Sequence, residues 1–189
     1  NSILQELAKE DGILGEIFSD SSNLIREPAN LKRLITLINE ETWFGLPIDI
    51  KATIYEGLLQ KNAEDKKSGA GQYFTPRSLI RAIVEVVDPE PRRTICDPAC
   101  GTGGFFIAAQ KHISEKYSDE LTREDKTYLK YDTFNGWEIV QKTASLCLMN
   151  LYLHGIEGRY EQINGKKQGP IIVDDSLARH PNKYYDYVL

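Results

Sequence analysis

The sequence predicts an α/β fold: a parallel sheet with helices packed on it, preceded by a helical region. Three observations carry this reading. From Arg93 onward, strand-like and helix-like patterns alternate. A short strand pattern, Thr94-Ile95-Cys96, runs into Asp97-Pro98-Ala99-Cys100-Gly101-Thr102-Gly103-Gly104, and an apolar helix pattern follows from Phe105. Strand, glycine turn and helix in that order let a backbone approach a nucleotide closely. Before residue 67, apolar residues recur at helical spacing.

The helical region opens with Ile3, Leu4 and Leu7, then Leu14, Ile17 and Phe18, although Gly12 and Gly15 weaken that pattern. A second helix follows Pro28, with Leu31, Leu34, Ile35 and Ile38 on one face. A third starts near Asp49, a suitable N-cap, and carries Ile54, Tyr55, Leu58 and Leu59. Such stripes must pack on something, either each other or another chain. The polar, then small run Glu64-Asp65-Lys66-Lys67-Ser68-Gly69-Ala70-Gly71 reads as a loop. The chain therefore divides into a helical part, 1–67, and a second domain, 68–189. Thr75 as N-cap and Pro76 at the first helical position open a helix with Leu79, Ile80, Ile83, Val84 and Val87 on its apolar face, and Asp88-Pro89 ends it. Strands are predicted at 94–96, 133–137, 170–173 and 184–189. Helices are predicted at 104–117 and 141–154, the latter closed by Gly155. The charged stretch 118–130 reads equally as a helix or a surface excursion, and 158–168 as a surface loop.

Bulk properties exclude several classes. A chain of 189 residues, 41% hydrophobic and 27% charged, can bury one core, or one core and a satellite. No apolar run approaches membrane-spanning length, and no signal-peptide pattern opens the chain. Cys96, Cys100 and Cys147 fit no zinc spacing, and their odd count argues against a disulfide framework. They read as reduced, which predicts a cytoplasmic setting. The net charge of −5 argues against a chain that holds DNA unaided. Any nucleic acid is expected to be gripped by other segments or by a partner.

The glycine turn selects its ligand through the acid beside it. A pyrophosphate at that helix start would be repelled by Asp97. With Gly101 and Gly103 as the first two glycines of a dinucleotide fingerprint, the third falls on Phe106. A ligand with an ammonium and a sulfonium would be attracted, and S-adenosylmethionine carries both. Asp97, Cys100, Gly101, Thr102, Gly103 and Gly104 are therefore candidate cofactor residues; a bare tight turn, with Asp97 as its N-cap, is the alternative. Glu138, at the end of the second strand, can accept from both ribose hydroxyls, and Ile139 can cover an adenine face. The alternative is an exposed glutamate at a helix start. Asp175 can accept from the adenine amino group, unless it or Asp174 is only a turn former. In Gln72-Tyr73-Phe74-Thr75-Pro76-Arg77, two aromatics precede a helix start whose free N–H groups suit a carboxylate such as the methionine tail. A hydrophobic staple with a cap is the alternative there. His112, His154 and His180 have no metal or triad spacing, so no metal site is expected. Lys66-Lys67, Arg92-Arg93 and Lys166-Lys167 read as solvated surface.

On these strings the chain resembles the modification subunits of type I restriction-modification systems, adenine-specific DNA methyltransferases with a Rossmann-like sheet that uses S-adenosylmethionine. Gly69-Ala70-Gly71-Gln72-Tyr73-Phe74-Thr75-Pro76-Arg77 is similar to that family's first cofactor motif, and Asp97 to Phe105 to its glycine motif. Glu138 stands where the ribose-binding acid would be, and Asp175-Ser176-Leu177 resembles the adenine-contacting turn. Leu148-Met149-Asn150-Leu151 and His154-Gly155-Ile156-Glu157-Gly158 also read like this family. The resemblance covers nearly the whole chain. It implies double-stranded DNA, specificity and restriction subunits and a second modification subunit as partners. It also implies that the helices before residue 67 are the C-terminal part of a helical domain used in subunit assembly and DNA clamping.

One element of the family pattern is missing, the catalytic Asn-Pro-Pro-Phe, which should follow the strand ending at Leu189. Asn1 is no initiator, Met149 is the only methionine, and 184–189 reads as a strand that stops in mid-run. The expectation is thus an internal piece with a truncated sheet, holding the cofactor half and unable to transfer methyl groups alone. Two other readings stay open. One is an assembly or DNA-clamping module without activity of its own; the other is a methyltransferase acting on RNA or protein.

Overall fold

Ile95, Cys96 and Asp97 are all buried, and a strand buried on both faces belongs at the centre of a parallel sheet. The computed structural model describes residues 2–65, 75–163, 166–178 and 183–189. Strand β1 (Ile95–Asp97) pairs in parallel with β2 (Phe134–Trp137) on one side and with β6 (Tyr187–Val188) on the other. Beyond β2 lies β5 (Ile171–Ile172), also parallel, which gives the order β5-β2-β1-β6. The four strands are those predicted; β1 is shifted by one residue, and the other three are shorter than their sequence patterns. Thr94 and Asp186 explain one boundary. The Asp186 carboxylate accepts from the Thr94 N–H and hydroxyl, both at 2.8 Å, so both residues serve a clamp just before β1 and β6.

Crossover helices join the parallel strands, as parallel pairing requires. Helix α6 (Gly104–Lys116) and α7 (Arg123–Tyr131) connect β1 to β2, and α8 (Gln141–Leu153) lies between β2 and β5. The stretch 118–130, open in the sequence, is mostly this α7. It starts on a capping box in which Thr122 and Asp125 exchange hydrogen bonds. Phe134 and Gly136 face Phe106 of α6, whose ring centroid lies 5.5 Å from that of Phe134. Asn135 and Trp137, on the opposite face of β2, meet Lys183 and Tyr185.

Helix α5 (Arg77–Val87) packs on α6 through Ile80 and Val84. It ends at Asp88, in the left-handed region, whose carboxylate receives Lys116 and His112 of α6. The predicted start is corrected by one residue. Pro76, extended, is the N-cap, and its carbonyl takes the first helical bonds from Leu79 and Ile80, with no side-chain cap from Thr75. The loop predicted at 158–168 is also corrected, since it contains an antiparallel hairpin, β3 (Glu161–Ile163) with β4 (Lys166–Gln168).

The N-terminal part is helical as read, but split into α1 (Ser2–Leu7), α2 (Ile13–Phe18), α3 (Pro28–Glu40) and α4 (Ile48–Asp65). Helix α4 begins before Asp49, which lies in its first turn rather than at its cap. Helices α2 and α4 pack against α8, and Ile13 and Ile17 join the same buried cluster as Leu148, Leu151 and Ile156. Tyr55 of α4 reaches the Leu146 carbonyl of α8. Helix α3 buries none of its residues; Leu34, Ile35 and Ile38 are exposed, so its predicted stripe does not pack on the other helices. The boundary drawn between 67 and 68 lies outside the described residues. Among the described residues, no helix is long and apolar enough to cross a membrane.

Candidate functional site

Three neighbouring strands deliver carboxylates to one edge of the sheet. Asp97 closes β1, Glu138 follows β2 directly, and Asp174 and Asp175 lie just beyond β5. The register aligns them, since Asp97 pairs with Gly136 and Gly136 with Ile171. The strand order also reverses at β1. The chain passes to β2 and β5 on one side and returns to β6 on the other. In open parallel sheets, ligands sit outside the carboxyl ends of the strands at such a reversal.

Asp97 is buried, and its carboxylate accepts from the Ala99 N–H at 3.0 Å. Burial pushes the Asp97 carboxyl up to about 6; the Ala99 bond opposes this and the nearby Glu138 charge adds to it. The turn after it is anchored on both sides. Cys100 N–H donates to the Trp137 carbonyl of β2 at 2.9 Å, and Gly103 N–H to the Cys100 carbonyl at 2.8 Å. Gly101 and Gly103 both adopt positive φ, 54° and 81°, yet their surroundings differ. A Cβ on Gly103 would meet Cys147 Sγ at 2.9 Å, so this glycine seats the turn on α8. Among the described residues, a Cβ on Gly101 would meet nothing within 4 Å, so its side of the turn is open to an approaching molecule. Asn150 of α8 holds the turn from below, its Nδ2 donating to the Thr102 carbonyl at 2.9 Å. Cys100 Sγ rests 4.0 Å from Cys147 Sγ.

The other predicted residues fall into four groups. Glu138 stands beside this turn, half-buried, with Oε1 accepting from the Val140 N–H at 2.8 Å, which fixes where the carboxylate points. Ile139 next to it is 67% exposed, an apolar side chain uncovered at the same edge. Asp174 and Asp175 both act as turn formers: Asp174 Oδ1 accepts from the Asp175 N–H, and Asp175 Oδ1 from the Leu177 N–H. Arg77 does not stand free at its helix start; it is ion-paired with Glu56 of α4 at 3.2 Å. Gln72, Tyr73 and Phe74 lie outside the described residues.

A cleft of 310 Å³ opens on the α5–α6 side of the turn. Thr102 and Gly104 line it together with Glu56, Arg77, Asn150 and apolar residues such as Ile80, whereas Asp97, Glu138 and Asp175 do not. The acidic edge and the cleft therefore adjoin the same turn from different sides. The sequence pattern does not mark Glu56 and Asn150 as site residues. Their signal there is a single polar residue within an apolar helical stretch, Asn150 between Met149 and Leu151 and Glu56 after Tyr55.

Comparison with known proteins agrees with this architecture. A family model described as N-6 DNA Methylase matches residues 47–188. The chain is 36% identical over 181 residues to the methylase subunit of the type I restriction enzyme StySJI of Salmonella typhimurium, covering 93% of this chain and 34% of that one. It is 37% identical over 180 residues to the methylase subunit of the type I restriction enzyme EcoKI of Escherichia coli K12, covering 92% and 34%. The chain thus spans about a third of the length of these curated relatives. A crystal structure of a modification subunit assigned to a type I restriction enzyme, from Vibrio vulnificus YJ016, superposes with a TM-score of 0.72 at 24% identity, covering 98% of this chain and 38% of that one.

Proposed function

The chain belongs to the N-6 DNA methylase family, and from that premise we propose that it forms the S-adenosylmethionine-binding part of a type I modification subunit that methylates the adenine amino group in DNA. The observation that carries the reading is the meeting of Asp97 and Glu138 beside a turn whose Gly101 side is open. A cationic ligand fits that edge, and a pyrophosphate does not.

Each residue has a task in this reading. Asp97 and Glu138 supply negative potential and acceptors, Glu138 for the ribose hydroxyls. Gly101 lets the backbone come close, and Ile139 covers the adenine. Gln72 to Arg77 and Asp175 complete the set taken from the resemblance. When bound, S-adenosylmethionine supplies a methyl group already activated by its sulfonium, so the protein's work is positioning and electrostatics. The target amine is stacked inside a duplex, so the base must be extruded to meet the methyl group. No Asn-Pro-Pro-aromatic string occurs in these 189 residues. We therefore propose that they bind cofactor but do not methylate DNA by themselves, and that DNA and partner subunits are engaged by the whole protein.

Calorimetric titration of S-adenosylmethionine into the purified chain tests this, with circular dichroism confirming the fold. Saturable binding, weakened about 10- to 100-fold in Glu138→Ala by loss of charge-assisted bonds, is the expected result. No binding by a folded chain would overturn the cofactor reading and favour an assembly or clamping module.

A further inference from the structure

Several polar groups line the cleft beside the glycine turn, and Arg77, Glu56 and Asn150 stand out among those that the acidic edge does not use. Arg77 and Glu56 pair across it at 3.2 Å, each with part of its side chain exposed. Asn150 is 3% exposed, and its amide is oriented by the bond from Nδ2 to the Thr102 carbonyl. Its Oδ1 is then the remaining end, buried without a hydrogen-bond partner among the described residues. A buried acceptor left unpaired is a standing cost that an arriving donor removes. The lining around these groups is mixed: Ile80 and Ile107 are apolar, and Arg81, Glu85, Lys111 and Glu115 are charged.

We propose that Glu56 and Asn150 form the seat for the α-ammonium of the cofactor's amino-acid end, with Arg77 receiving its carboxylate. The proposal rests on the cofactor reading above and adds residues outside the glycine motif. A zwitterion suits this cleft because it replaces one internal ion pair with two and leaves no charge uncompensated. An ammonium has three donors, enough for the Glu56 carboxylate and Asn150 Oδ1 together. Glu56 also lies on α4, so a helix of the N-terminal part contributes directly to ligand binding, and α4 is held in place by its packing on α8.

The test uses the full-length protein and two probes: S-adenosylhomocysteine, and its analogue with hydrogen in place of the α-ammonium. The readout is the ratio of the two dissociation constants, from which any loss common to both ligands cancels. The wild type is expected to prefer S-adenosylhomocysteine by at least about tenfold. Glu56→Gln should remove most of that preference while leaving the deamino analogue within about twofold of wild type. Asn150→Ala should lower the ratio as well, and Glu56→Asp should restore part of it. Equal weakening of both ligands in these variants would overturn the proposal by giving Glu56 and Asn150 a purely structural role. Tighter binding of S-adenosylhomocysteine by Glu56→Gln would also overturn it, because Glu56 would then only compete for Arg77. A wild type that binds both probes alike sinks this inference alone; one that binds neither sinks the cofactor reading with it.

Discussion

Asp97 joins the sheet's chemistry to pH. Its folded-state value of about 6 lies above the ordinary carboxylate value, so between pH 4 and 6 the folded chain holds a proton that the unfolded chain has lost. Stability contributed by this group therefore falls as pH rises through that window and is level above it. Asp97→Asn should flatten this slope, as thermal melts at pH 4 to 7 will show. A cationic ligand favours the ionised form. Affinity for S-adenosylmethionine should thus rise from pH 5 to 7, with proton release on binding seen by calorimetry in buffers of different ionisation enthalpy. The two turn glycines should separate binding from folding. Gly101→Ala adds a methyl group to open space at a cost of about 1 kcal/mol for its left-handed φ, and it should blunt ligand affinity. Gly103→Ala adds a collision with Cys147 to the same strain, about 2–4 kcal/mol in all by denaturant unfolding. The string from Asp97 to Gly104 and the acid at Glu138 were legible because their spacing to a strand is local. The Glu56–Arg77 pair was not, because folding alone brings α4 to the start of α5.

Element boundaries follow local rules that the sequence shows unevenly. Thr122 and Asp125 stand at capping-box spacing before α7, so the start of that helix is written in the sequence. Thr122→Ala should cost about 1 kcal/mol in urea unfolding. Asp125 is held down to about 2, first by the Thr122 hydroxyl and then by Arg92. That stabilisation is present above the ordinary carboxylate range and is lost as pH falls toward 2. The hairpin β3–β4 has only one sequence signal, Asn164-Gly165, the usual hairpin dipeptide, which separates its strands in the sequence. Apart from Ile163 its flanking residues are polar or charged, so no alternating apolar pattern marks them as strands.

At the scale of the whole molecule, α2 and α4 share their packing with the sheet domain. Ile13 and Ile17 sit in the same cluster as the helix that carries Asn150. Ile17→Ala should therefore cost about 2–4 kcal/mol and lower the melting temperature of the sheet, read by near-ultraviolet circular dichroism. Helical spacing announced these apolar faces but not their partner, because α8 is remote in sequence and its own pattern is apolar on several sides. Helix α3 shows the converse, a legible stripe that meets no described surface of this chain.

The three cysteines give this arrangement a built-in stopwatch. All are free and buried, one of them inside the glycine turn. Cys96 is pushed up to about 11 by burial, and Cys100 is raised further by the adjoining Cys147 and its own burial. Shielded thiols resist alkylation until the structure around them opens. The rate at which iodoacetamide marks each cysteine, followed by mass spectrometry, thus times the opening of its surroundings. A molecule that settles on the turn should slow Cys100 and Cys147 together, reporting occupancy without a radiolabel, a chromophore or a turnover.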